Sequence, residues 1–213
     1  MAGVKQEQVV IERAKITRLK VRIVGTSPLV IHKFSKKARE KMKAAMSTPA
    51  NQKKSKATRE PRDFENDFQE ARHVAGDGWD GIPAAGFRSA MVDACRLTGL
   101  PMTKAKIGVF IIADGFDADD GTPLVKIDGN AAEKLESLVR NDGGSADIRI
   151  RPMYREWAAT LTIEFDEAVI SAGSVINLLD RAGRQVGICE GRHFSKDSNG
   201  QGWGCFMVPE QKE

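Results

Sequence analysis

The stretch DIRIRPMYREWAATLTIEFD, residues 147–166, decides the fold class. Ile148 and Ile150 alternate with Arg149 and Arg151, and further on Ala159, Leu161, Ile163 and Phe165 alternate with Thr160, Thr162 and Glu164. A period of two marks strands with one buried face, so two strand segments are predicted, meeting at Pro152. ITRLKVRIVG, residues 16–25, repeats the pattern: Ile16, Leu19, Val21 and Ile23 supply the apolar positions, while Arg18, Lys20 and Arg22 share the other face.

The helical signals lie between and after these strands. IPAAGFRSAMVDACRLTG, residues 82–99, spaces Phe87, Met91, Ala94, Cys95 and Thr98 for one face and stops at Gly99. SAGSVINLLDRAGRQVG, residues 171–187, predicts a helix capped by Ser171, with Val175, Leu178, Leu179, Ala182 and Val186 inward. A glycine-rich segment then leads to a last strand, GCFMV. KIGVFIIAD (residues 106–114) reads as a strand buried on both faces, PLVKIDG as a weaker strand, and AAEKLESLVRND (residues 131–142) as a short helix or ordered loop. This order gives an α+β fold: a ferredoxin-like or RRM-like antiparallel sheet with helices on one face.

A basic helical insertion interrupts it at about residues 33–75. Between Lys33 and Arg72 there are twelve Lys/Arg and six Asp/Glu, in a chain whose net charge is only +4. SKKAREKMKAAM predicts a helix capped at Ser35, and PRDFENDFQEA a second one starting at Pro61 with Phe64, Phe68 and Ala71 on one face. The tract between them has almost no large apolar side chains and reads as mobile. Residues 1–14 read as a loose arm, 15–208 as one domain and 209–213 as a tail.

The chain has 213 residues, 41% hydrophobic and 29% charged, which suits a single soluble domain. There is no apolar run of membrane-spanning length and no signal-peptide pattern at the start, so no membrane partner and a cytoplasmic location are expected. Three widely spaced cysteines suggest reduced thiols, not a disulfide framework or a zinc site.

Three stretches resemble the RAMP superfamily of CRISPR-associated RNA-binding proteins, especially the backbone subunits that coat guide RNA. They are the first strand running into GTSPLVIHKF, the helix start GIPAAGFRSAMVDACR, and the glycine-rich loop between the last helix and the last strand. The helix start carries Phe87-Arg88-Ser89 where that family has a Lys-Gly pair. The chain also resembles a group of uncharacterised bacteriophage and prophage proteins through PLVIH, RIRPMYREW and the closing glycine-rich segment. The resemblance implies a modified RRM fold that binds nucleic acid, with Arg88 at the helix start as a contact and the loop against the polynucleotide backbone.

The residues point the same way. Arg18, Lys20 and Arg22 with Arg149 and Arg151 would form one positive face if their strands were neighbours, though solvated outer positions explain them equally simply. Tyr154 and Trp157 could stack on bases, or anchor the core. Lys36, Lys37, Arg39, Lys41 and Lys43, with Lys53, Lys54 and Lys56 further along, could clamp a strand or simply form a solvated helix face. Arg184, Arg192, His193 and Lys196 give the glycine-rich loop positive charge, and His32 is placed for backbone contact at a strand end.

The function expected is therefore binding of single-stranded RNA or DNA with little sequence preference, by a homo-oligomer or filament assembling along the strand. No cofactor, catalytic or metal residue is assigned: DGFDADD lacks EF-hand spacing and reads as an acidic turn, and the three histidines show no metal spacing. Two alternatives stay open. One is a metal-independent endoribonuclease of the RAMP type using His32 or His193, and the other is a mimic of a CRISPR backbone subunit acting through protein contacts.

Overall fold

A computed structural model describes residues 11–47, 61–140, 144, 146–196 and 198–210. The first half of the chain holds β1 (Ile16–Gly25), β2 (Leu29–Val30), α1 (Lys36–Ser47), α2 (Phe64–Glu70), β3 (Gly81–Pro83), α3 (Ala84–Ala94), α4 (Met102–Gly108) and β4 (Val109–Ile112). The second half adds β5 (Gly115–Phe116), β6 (Pro123–Lys126), β7 (Asp128–Gly129), β8 (Glu133–Arg140), β9 (Ala146–Tyr154), β10 (Trp157–Asp166), α5 (Ala172–Arg181) and β11 (Phe206–Met207).

The main sheet has the order β11-β1-β10-β4, with every neighbouring pair antiparallel. With α3 between β1 and β4, and α5 between β10 and β11, this is the 4-1-3-2 strand order of a ferredoxin-like sheet. The fold is α+β, as the strand and helix patterns predict. Val21 and Ile23 from β1, and Leu161, Ile163 and Phe165 from β10, meet Phe87 and Met91 of α3 and Val175, Leu178 and Leu179 of α5 in one core. Each of these large side chains contributes roughly 1.5–3 kcal/mol by leaving water. Ser171 caps α5 through its hydroxyl, which accepts from the Ser174 N–H.

A second sheet, β2-β9-β8, carries α2 against β9, and a third, β3-β6-β5, is smaller. Here the structure departs from the pattern reading in several places. Residues 133–140 form a strand, not a helix or loop: Leu135 lies opposite Arg151 and Ser137 opposite Arg149, so long-range pairing overrides good helix formers. The break between the two arginine- and threonine-bearing strands falls at Arg155 and Glu156, and Pro152 sits inside β9, which passes the chain from one sheet to the other. KIGVFIIAD is divided between the end of α4 and an edge strand, leaving Ile107 and Phe110 exposed where burial on both faces was expected.

In the insertion, α1 starts just after Ser35, whose Oγ accepts from Ala38 N–H at 3.2 Å, and none of its side chains is buried. α2 starts at Phe64 and not at Pro61, capped by Asp63, whose Oδ1 accepts from the Glu65 and Asn66 N–H groups, both at 3.0 Å. Lys53, Lys54 and Lys56 lie outside the described residues.

Candidate nucleic-acid interface

The two arginine-bearing strands belong to different sheets, so the single positive face expected from Arg18, Lys20, Arg22, Arg149 and Arg151 does not form. The cations fall into two groups. Along β1, Arg18 meets Glu164 of β10 at 2.7 Å, Arg22 pairs with Asp128, and Lys20 has no ionic or hydrogen-bond partner among the described residues. Arg184 lies beyond this row, paired to Asp180 at 2.7 Å within α5 and its continuation.

The second group gathers where β2 and β9 meet the glycine-rich loop. β2 pairs with the end of β9, and Ile31 N–H donates to Pro152 carbonyl oxygen at 3.1 Å, which brings His32 to the side of Arg151. Glu190 of the loop hydrogen-bonds Val30 carbonyl through its own N–H at 3.1 Å. Its carboxylate accepts from Arg151 Nε at 2.7 Å and lies 3.9 Å from His32 Nδ1. Arg149 lies two residues before Arg151 on β9 and so shares its side of the strand. His32, Arg151 and Glu190, from three separate parts of the chain, thus meet at one lip, with Arg149 on the same strand as Arg151.

Burial holds the His32 imidazolium below its ordinary value of 6.5, reinforced by Arg151 and Arg149 against the opposing pull of Glu190. The neutral ring is therefore the form present at neutral pH. Folding stability contributed this way is complete above about pH 6.5 and is lost as pH falls through the lowered native value, because the unfolded chain takes up the proton first. Melting temperatures measured from neutral pH down to about 5 should fall in the wild type and fall less in His32→Gln.

Lys33 fixes the display of this lip. Its ammonium is buried and meets Asp117 Oδ1 at 2.7 Å, and His73 Nδ1 lies 2.8 Å from Asp117 Oδ2. Burial alone would raise the Asp117 carboxyl, but the hydrogen bonds from Lys33, the Asp119 N–H and His73 outweigh it and hold it below the usual range. The acidic turn is in this respect an internal anchor. Because alternate residues face opposite ways, an inward Lys33 turns His32 and Phe34 outward, and their rings lie 5.3 Å apart. His73, Asp117 and Asp120 also offer oxygen and nitrogen ligands within 4.8 Å of one another, but Lys33 already supplies the positive charge at Asp117.

The expected stacking residues are inside the protein. Tyr154 is 1% exposed and burial drives its hydroxyl toward the neutral form, while Trp157 is 3% exposed and donates from Nε1 to Ser27 carbonyl at 2.9 Å. Both belong to the core, so neither offers a ring to a base. An exposed ring beside the cations is Phe34, at 59%, which the sequence reading missed because Val30, two and four residues before His32 and Phe34, is buried and breaks the alternation. Glu190 was missed as well, since nothing local links it to β9.

Arg88 is occupied by the fold: it donates to Val109 carbonyl at 3.1 Å and to Lys106 carbonyl, and its guanidinium lies 5.0 Å from the Phe110 ring. Arg192 holds the glycine-rich loop together, donating to Cys189 carbonyl at 2.8 Å and Phe194 carbonyl at 3.2 Å. His193 and Lys196 are exposed on the same loop, and Lys36 and Lys37 on the first turn of α1. Several loop N–H groups are spent on packing: Ile188 N–H bonds Gly204 carbonyl, and Gly204 N–H bonds Pro28 carbonyl at 2.8 Å. The Cys189 thiol is pushed up to about 12 by burial, which leaves no thiolate nucleophile at neutral pH.

No family model matches the chain, and no curated protein matches it. Among solved structures it is similar to Cmr6 from Pyrococcus furiosus, with 8% identity and a TM-score of 0.41 over 92% of this chain and all of that one. The fold assignment rests on the strand order given above. No helix among the described residues is long and apolar enough to cross a membrane.

Proposed function

We propose that this protein is a RAMP-like, non-enzymatic binder of single-stranded nucleic acid. The polynucleotide backbone crosses the lip formed by His32 and Arg149 beside the glycine-rich loop, while Arg151, expected as a contact, is buried and holds Glu190 and the Ile150 carbonyl beneath it. The observation that carries this reading is the convergence of His32, just after β2, with Arg149 and Arg151 of β9, 117 and 119 positions away, next to an exposed aromatic ring at Phe34. Cations track phosphates, and one aromatic face beside them stacks a base without reading its identity. Lys36 and Lys37 of α1 extend the positive surface from the same chain segment, and His193 and Lys196 extend it along the loop. Copies assemble side by side along the strand.

Fluorescence anisotropy with labelled oligo-deoxythymidine, oligo-uridine and a duplex control, titrated from about 50 to 200 mM salt, tests the proposal. Both single strands should bind, with log affinity falling by about 0.7 per phosphate contacted for each unit of log salt. Arg149→Ala should weaken binding several-fold and flatten that slope by about 0.7 while the melting temperature stays within a few degrees. Absence of single-strand binding at the lowest salt contradicts the reading, as does cleavage of the oligo-uridine that is lost in His32→Ala.

A further inference from the structure

β1 is bonded on one side only along most of its length. Its pairing with β10 runs from Ile16 to Val24, but β11 takes up only Val24 and Gly25. Thr26 N–H donates to Cys205 carbonyl at 2.8 Å in that same antiparallel register. Backbone groups alternate sides along a strand, so the N–H and C=O of Val24, Arg22, Lys20 and Arg18 all point to this outer edge. From Ile16 to Ile23 the edge has no strand partner among the described residues. Among the described residues the ladder ends at Met207, and the next residue facing β1, Pro209, has no N–H to extend it.

A groove of about 560 Å³ runs along this edge, with Lys20, Val21 and Arg22 on the strand side and Ile176, Asn177 and Arg184 on the helix side. Three consecutive strand residues line it, whereas a sheet face would present only alternate ones. The groove therefore follows the open backbone.

We infer that this edge receives an extended, acidic segment of a partner protein, which adds as a further strand between β1 and α5. The ladder selects a polypeptide: β1 offers alternating donors and acceptors, which another strand matches and a phosphate, an acceptor only, does not. The charge selects the sequence. Arg18, Lys20 and Arg22 are the side chains directly opposite an incoming strand on the open face, and of the carboxylates that pair with two of them Glu164 stands one strand further in, on β10, and Asp128 two, on β7. At the groove itself Asp180 is held by Arg184 and the Val208 N–H, and Glu210 is the remaining carboxylate. A second copy joined edge to edge would set this cationic row against itself, and like charges directly opposite destabilise a pair.

The probe is a labelled peptide of about eight residues alternating Glu and Val, with a Lys/Val peptide and an acidic peptide N-methylated at alternate amides as controls. The acidic peptide should bind, the basic one should not, and N-methylation should weaken binding about tenfold or more. Lys20→Pro removes one outward N–H without touching the ladder to β10, a substitution edge strands accept, and should also cost about tenfold with little change in melting temperature. Lys20→Glu should shift preference from the acidic toward the basic peptide. Equal binding of acidic and basic peptides, equal binding of the N-methylated peptide, or unchanged binding by folded Lys20→Pro overturns the inference. Arg149→Ala should leave peptide binding intact, so failure of this site and failure of the lip are separately visible.

Discussion

Asp117→Ala should destabilise the protein by about 3–5 kcal/mol, a fall of roughly 6–20 °C in melting temperature for a chain of this size. The carboxylate is fully buried and accepts from Lys33 Nζ, the Asp119 N–H at 2.9 Å and the Asp120 N–H at 3.3 Å, with His73 against its other oxygen. Removing it strands the Lys33 ammonium, whose remaining partner, Asp119, is 3.4 Å away. Asp117→Asn should cost less, since it keeps an acceptor for the two N–H groups, and adding Lys33→Met should recover part of the loss by removing the orphaned charge. Additive losses in that double variant would show that the pair is not coupled.

The effect should reach the binding surface. Lys33 is the inward residue between outward His32 and Phe34, so its release loosens the segment that presents them. The contribution of Asp117 is complete above its ordinary value of 3.8 and is lost as pH falls through its lowered native value, which places this part of acid unfolding below about pH 4.

Gly204→Ala is the second large effect. Its φ is +68°, and a Cβ there would overlap the Ile188 carbonyl oxygen, which is backbone and cannot swing aside. Left-handed strain and the forced separation together should cost about 3 kcal/mol or more. Gly200→Ala separates the two causes: its φ is +65°, but nothing lies within 4 Å of the added carbon, so it should cost only about 1 kcal/mol. Urea melts of the two variants check the difference. If they are equal, the close approach of Gly204 to the Ile188 carbonyl is not what makes it necessary.

This contrast bears on what the glycines are for. In the sequence they resemble a phosphate-cradling loop, whereas in the fold Gly204 lets the loop press against Ile188 and the Pro28 carbonyl. The loop serves binding by carrying Glu190, His193 and Lys196 to the surface, not by offering every N–H to a ligand.

The main sheet was legible because β1 and β10 each bury one face and solvate the other, which leaves a period of two in the sequence. Both core helices were legible for the same reason at their own period. Residues 133–140 were not, because Glu, Lys and Leu favour a helix locally and only the pairing with β9 makes them a strand. The burial of Tyr154 and Trp157 was equally hidden: each lies near arginines in sequence, but β2 and the β1–β2 connection cover them from more than a hundred residues away. Arg151 and His32 could be singled out one by one, but their meeting at Glu190 depends on tertiary pairing between β2, β9 and the last loop.

The most direct test of the central claim is photo-crosslinking of 4-thiouridine-substituted oligo-uridine to the wild-type protein, with adducts mapped by mass spectrometry. The account predicts adducts at Phe34 or His32 and within residues 189–196, reduced in Arg149→Ala. Adducts confined to the open face of β1, β10 and β4, or none above the duplex control, would contradict it.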